Sequence, residues 1–127
     1  MRILLDTHVL LWALADSPRL SASARALLGD PGNECWVSSA SVWEIAIKSA
    51  LGKIRGDFSL DQLEQGIDDA GLLPLDVTMR HAAAIAKVAV PHGDPFDRLL
   101  VAQCEVETLR LLTADEVLSR LPVAIRC

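Results

Sequence analysis

The amino-acid sequence predicts an α/β domain, with a central parallel sheet of four to five strands flanked by helices. Three observations carry that reading. Short apolar runs of strand length alternate with longer stretches of helical composition, the pattern of a parallel sheet covered on both faces. Turn-forming residues punctuate the joints, at Ser17-Pro18, Gly29-Asp30-Pro31-Gly32, Gly52 and Gly71. The 127 residues suffice for one substantial core but not two, and no repeat, low-complexity tract or linker divides them. Residues 1–127 are therefore read as a single domain.

Arg2-Ile3-Leu4-Leu5 is an apolar run that ends abruptly at Asp6 and reads as a buried strand. Residues 8–15 are helical in composition, and Ser17-Pro18 breaks them. Ser21 opens a second helix through 28, stopped by the Gly/Pro cluster that follows. Cys35-Trp36-Val37-Ser38 is the second strand candidate. Residues 42–51 follow as a helix, with Gly52 just past its end, the usual place for a left-handed cap. Another helix begins at 57–59, runs to about 69, and is closed by Gly71. Leu72-Leu73-Pro74-Leu75 is a weak third strand, followed by a helix over 78–88. Asp94-Pro95 starts a helix to about Glu107, residues 109–112 form a fourth strand, and Val123-Ala124-Ile125 suits a fifth at the edge.

Hydrophobic residues make up 51% of the chain and the mean hydropathy is +0.32, which fits a compact fold and excludes a disordered chain. The excess is met either by a well-filled core or by apolar surface that a partner covers. Candidates for such a surface are Val9, Leu10, Trp12 and Ala13 on the first helix and Leu20, Ala24, Leu27 and Leu28 on the second, which cannot all face the sheet. The apolar runs are too short to span a bilayer, and no charged region precedes a cleavable apolar stretch. Cys35, Cys104 and Cys127 form neither a CxxC motif nor an even set. The expectation is a cytoplasmic protein with reduced thiols and no membrane association. A net charge of −5 argues, taken alone, against a nucleic-acid partner.

In open parallel sheets ligands bind outside the carboxyl ends of the strands, so the acids just beyond those ends carry most of the information. Asp6 follows the first strand directly, and Asp115 comes three residues after Leu112. Glu44 lies one helical turn beyond Ser41 on the helix leaving the second strand, and Asp97 sits in the first turn after Asp94-Pro95. Each has a purely structural alternative. Asp6 can cap the first helix, and Ser41-Val42-Trp43-Glu44 fits a capping box. Asp94-Pro95-Phe96-Asp97 is a favourable helix start, and Asp115-Glu116 can cap a short helix before Leu121. Taken jointly, four carboxylates at one sheet edge repel one another unless a cation neutralises them. Hard divalent ions such as Mg²⁺ or Mn²⁺ take such oxygen ligands, with water completing the shell. A bound ion of that kind lowers the pKa of its water, stabilises charge on phosphate, and reverses the local sign where a polyanion must approach. The cluster thus suits phosphodiester hydrolysis.

Four segments carry a family resemblance: Leu5-Asp6-Thr7-His8-Val9-Leu10-Leu11-Trp12; Ser38-Ser39-Ala40-Ser41-Val42-Trp43-Glu44-Ile45-Ala46-Ile47-Lys48; His92-Gly93-Asp94-Pro95-Phe96-Asp97-Arg98-Leu99-Leu100-Val101-Ala102-Gln103; and Leu112-Thr113-Ala114-Asp115. In order and spacing the chain resembles the PIN-domain proteins, and within them the VapC-type toxins of bacterial toxin–antitoxin pairs. The resemblance implies a PIN-like fold, a Mg²⁺- or Mn²⁺-dependent endoribonuclease acting on RNA, a homodimer, and inhibition by a small antitoxin encoded beside it. It implies that Asp6, Glu44 and Asp97 hold metal, that Asp115 is the more variable fourth acid, and that Thr7 and Thr113 support the site through hydrogen bonds or water. At the end the chain departs from the pattern, with Val117, Leu118 and Leu121 where related chains often place aromatic residues.

Asp94 is either a supporting acid or only the helix cap. Arg98 could orient a carboxylate through a bidentate pair or contact phosphate. His8 and His92 flank the acids, and metal–water chemistry does not require them. Trp12 and Trp43 suit core packing or base stacking. Lys48, Lys53 and Arg55, the densest basic stretch, are solvated helix-end charges or part of an RNA path. A receiver domain would need an acidic pair after the first strand and a late lysine, yet no lysine follows Lys87. A haloacid-dehalogenase-type phosphatase would need Asp-x-Asp where position 8 is histidine. A catalytically silent PIN-like module binding RNA or protein is the remaining alternative, and the presence of all four acids argues against it.

Overall fold

A computed structural model describes residues 1–54, 59–91 and 93–127. Its five strands are β1 (Arg2–Leu5), β2 (Glu34–Ser38), β3 (Leu73–Leu75), β4 (Arg110–Thr113) and β5 (Ala124–Arg126). They form one sheet in the order β3-β2-β1-β4-β5, with every neighbouring pair parallel. The α-helices are α1 (Thr7–Leu14), α2 (Ala22–Gly29), α3 (Ser39–Ala50), α4 (Leu60–Asp69), α5 (Met79–Ala84) and α6 (Pro95–Glu107). The expected α/β architecture is therefore present, with the fifth strand at the edge.

Side chains alternate across a strand, so β1 serves two cores at once. Ile3 and Leu5 join Val9 and Leu10 of α1, Ala24 of α2, Val37 of β2 and Leu63 and Ile67 of α4 on one face. Leu4 joins Leu99 to Ala102 of α6 and Leu111 of β4 on the other. β1 is flanked on both sides, by β2 at Ile3–Cys35 and by β4 at Leu4–Leu111. This central position fixes the point where the chain leaves the sheet at Asp6.

The helix expected over 42–51 begins three residues earlier. Ser38, the last residue of β2, is itself the N-cap, its hydroxyl accepting from the Ala40 N–H at 3.0 Å. The capping box at Ser41–Glu44 is thereby corrected: both residues lie inside α3, and the strand feeds the helix without a loop. The helix expected over 78–88 is α-helical to Ala84 and finishes as a 3₁₀ turn at Ile85–Lys87. Thr78 caps it, exchanging hydrogen bonds with His81. Gly52 and Gly71 adopt φ of +71° and +74°, the left-handed stops that their positions demanded. The expected helix start at 57–58, together with Arg55 and His92, lies outside the described residues.

The apolar candidates on the first two helices divide. Val9, Leu10, Leu20 and Ala24 are buried, whereas Trp12, Ala13, Leu27 and Leu28 are only partly covered. Exposed large apolar side chains also stand elsewhere, with Trp43, Ile47 and Leu51 one turn apart along α3 and its C-cap. Near the chain's end Leu118 is fully buried against the second core.

Candidate active site

Three strand ends and one helix start build a cleft at the carboxyl edge of the sheet. β1 delivers Asp6, β2 runs straight into α3 and carries Glu44 one turn and a half along it, and β4 ends at Thr113 with Asp115 beyond. Asp94-Pro95 opens α6, placing Asp97 in its first turn. Asp6, Glu44, Asp97 and Asp115, together with Asp94, line one cavity of about 250 Å³, so the sequence-expected acids do converge.

Asp6 caps α1 and belongs to the site at the same time. Its Oδ1 accepts from the Thr7 N–H at 2.7 Å and its Oδ2 from the Thr113 hydroxyl at 2.7 Å. Glu44, only 4% exposed, accepts from the Thr7 hydroxyl at 2.7 Å through Oε1. Thr7 Oγ1 also lies 3.0 Å from Ser41 Oγ, so one buried hydroxyl pair steadies this carboxylate. Asp115 is more exposed, and its Oδ1 accepts from the Val117 and Leu118 N–H groups at 2.8 and 2.9 Å. Its own N–H donates to Thr113 Oγ1 at 3.0 Å. Thr113 thus bridges two of the acids. Asp94 Oδ1 accepts from Phe96 N–H at 2.9 Å and Asp97 N–H at 3.3 Å, the helix-cap role, while its side chain also borders the cavity.

Two basic side chains weighed in the sequence take different places. Arg98 does not line the cavity, and its Nη2 donates to the Val90 carbonyl at 3.4 Å. Lys48, read from sequence as a helix-end charge or part of an RNA path, reaches back one turn and pairs with Glu44 Oε2 inside the cavity. The signal was available in the Glu44–Lys48 spacing, the favourable orientation for an i,i+4 pair. Lys53 is exposed. His8 and Trp12, one turn apart on α1 with ring centroids 6.2 Å apart, form a wall of the same cavity. Trp43 stands outside it, 59% exposed, edge-on to Phe96.

The electrostatics follow from crowding and burial. Burial pushes the Asp97 carboxyl up to about 7, reinforced by the negative charges of Asp6, Asp94, Glu44 and Asp115. Burial also raises Asp6, opposed by the hydrogen bonds from Thr113 and Thr7. The bond to Glu44 holds Lys48 above its ordinary value, with Asp94 and Asp97 acting in the same sense. Among the described residues no three acidic, imidazole or thiol groups are drawn together closely enough to cage an ion unaided. The donor set nevertheless fits a hard divalent cation: every acid offers oxygen, and magnesium sites typically use one or two carboxylates with water completing the shell.

A single α/β sheet with a carboxylate-lined cleft at its carboxyl edge defines the class of protein. The PIN domain family model matches residues 3–124, and the chain belongs to that family. It is 31% identical over 120 residues to ribonuclease VapC22 of Mycobacterium tuberculosis (strain ATCC 25618 / H37Rv), spanning 89% of this chain and 86% of that protein. The fold is similar to a chain in the crystal structure of VapBC2 from Rickettsia felis bound to a DNA fragment from their promoter, with a TM-score of 0.69 at 18% identity over 100% of this chain and 98% of that one. It is similar as well to a chain of VapBC-1 from nontypeable Haemophilus influenzae, with a TM-score of 0.66 at 18% identity over 100% and 97% of the two chains. A toxin–antitoxin complex from Klebsiella pneumoniae gives a TM-score of 0.63 at 15% identity over 97% and 95%. No helix among the described residues is long and apolar enough to cross a membrane.

Proposed function

We propose that this chain is a divalent-cation-dependent endoribonuclease and the toxin of a toxin–antitoxin pair. The observation that carries the reading is the collection of Asp6, Glu44, Asp94, Asp97 and Asp115 around one cavity, with two of them buried and a third pushed toward neutrality. Such a cluster is unfavourable on its own and becomes favourable with a cation. The curated relative's ribonuclease name and the toxin–antitoxin titles of the structural neighbours support the same assignment.

Asp6, Glu44 and Asp97 would hold Mg²⁺ or Mn²⁺, with Asp115 as the outer, more exposed acid. When bound, such an ion activates water and offsets charge on the scissile phosphate. The chain's own groups do the rest. Thr113 and Thr7 aim one oxygen of Asp6 and one of Glu44, which leaves their remaining lone pairs directed by fixed geometry. Asp97 must give up its proton before it can act as an anionic ligand. The Trp12 ring, with His8 tilted at 50° beside it, offers an aromatic face for a base next to the acids.

The partners proposed are an RNA substrate, a second copy of the chain, and an antitoxin that covers partly exposed apolar surface, with the working compartment the cytoplasm. Expression of the wild type alone should arrest bacterial growth, and co-expression of the adjacently encoded protein should relieve the arrest and co-purify as a complex. Light scattering on the isolated chain should give a dimer. A wild type that neither slows growth nor is bound by the adjacent gene product would remove the toxin assignment while leaving the nuclease assignment standing.

A further inference from the structure

We propose that Lys48 is a built-in counter-ion that changes partner during the reaction cycle: it neutralises Glu44 in the cation-free chain and turns to an RNA phosphate once a divalent ion takes that carboxylate. The inference rests on the ribonuclease reading and adds to it the residue that receives the substrate's charge.

The placement is unlike that of an ordinary helix-surface pair. Both side chains line the acidic cavity, and the Glu44 side chain is only 5% exposed while that of Lys48 is 29% exposed. Exposed i,i+4 pairs contribute little and face water on both sides. Here the carboxylate is buried and the ammonium stands at the mouth. Lys48 is the one lysine or arginine that lines this cavity among the described residues, against five carboxylic acids. Apart from the His8–Trp12 wall and Ala114, a phosphodiester entering the cleft therefore meets acids and this one ammonium. The carboxylate it neutralises is also one that a cation must use.

Lysine suits the exchange. Its ammonium is a compact charge on a flexible four-carbon stem, so it can leave one oxygen for another a short distance away. The Phe96 ring, 6.0 Å from Nζ, supplies an apolar ledge beside the path.

The two halves of the exchange have opposite signs, which makes them testable together. Lys48→Gln, a substitution that keeps a good helix former in α3, removes the competitor for Glu44 and the phosphate contact at once. Mn²⁺ binding followed by electron paramagnetic resonance should become roughly fivefold tighter than in wild type, because an opposing charge beside the ion is gone. Anisotropy of a labelled single-stranded RNA, measured with Ca²⁺ present, should show weaker binding. Its dependence of log Kd on log salt should fall by about 0.7, the loss of one phosphate contact on a single strand. Lys48→Arg should restore the salt slope. Unchanged Mn²⁺ affinity in Lys48→Gln, or an unchanged salt slope, overturns the proposal while the nuclease assignment stands. A wild type that binds no RNA under these conditions removes both.

Discussion

Each acid at this site does structural work as well, and that double duty decides how its loss will read. Asp6 and Asp94 cap helices, and Asp115 satisfies two backbone N–H groups, so alanine would confuse folding with chemistry. Isosteric amides separate the two. Asp6→Asn, Glu44→Gln and Asp97→Asn should each lower RNA cleavage by roughly a hundredfold or more, since each removes charge that the transition state requires. Asp115→Asn should cost less, as its carboxylate is the most exposed of the four and already engaged with Val117 and Leu118; rates under saturating Mn²⁺ check the ranking. Asp97 also gives a pH signature without cation. Its folded pKa, about 7, lies above the ordinary aspartate value of 3.8, so the folded chain holds the proton more tightly than the unfolded one. This contribution favours the fold below about pH 4 and is lost as pH rises through 7. In EDTA, the urea midpoint of wild type should therefore fall between pH 5 and 7.5 more steeply than that of Asp97→Asn. The four acids were legible in the sequence because Asp6 and Asp115 closely follow strand ends and Glu44 and Asp97 lie near the starts of helices. Lys48 and Ser41 were not singled out for the site: the Glu44–Lys48 spacing was visible, but which side chains of α3 face the cavity and Thr7 depends on how the helix packs.

At the scale of elements, the site depends on how abruptly β2 becomes α3. Three serines in Ser38-Ser39-Ala40-Ser41 could each cap a helix, and local pattern alone favoured the last, with Glu44 three residues on. Tertiary context decided for Ser38, because Ala40 and Ser41 are needed on the buried face, against the second core and Thr7. Ser38→Ala should destabilise the fold by about 1 kcal/mol, the usual cost of losing an N-cap, and a urea titration measures it. The start of α6 was plain from sequence, since Asp94-Pro95 supplies both cap and pre-set first turn. The final segment was harder to read because its anchor, Leu118, lies in a short 3₁₀ turn with no periodicity to reveal it. Leu118→Ala should cost about 2–5 kcal/mol, as expected for a fully buried leucine, and should lower thermal stability with little effect on cation affinity.

At the scale of the molecule, the alternation of strands and helices was sufficient to give the parallel sheet, its faces and its functional edge. What covers the remaining apolar surface was only partly legible: half of the side chains suspected on α1 and α2 are core, and α3 carries an exposed stripe that composition could not locate. The net charge of −5, which argued against nucleic acid, is reconciled by where the acids stand. Five of them surround one cavity, so a cation bound there would change the sign of the surface that RNA must meet. This reversal of sign is tested by cleavage of a defined RNA by purified wild type and Asp97→Asn, each with EDTA and with increasing Mn²⁺, the cut ends being mapped. Wild type should give discrete cuts that appear only with Mn²⁺, saturate with its concentration, and are lost in Asp97→Asn. Cleavage that persists in EDTA, or that Asp97→Asn retains in full, would contradict it.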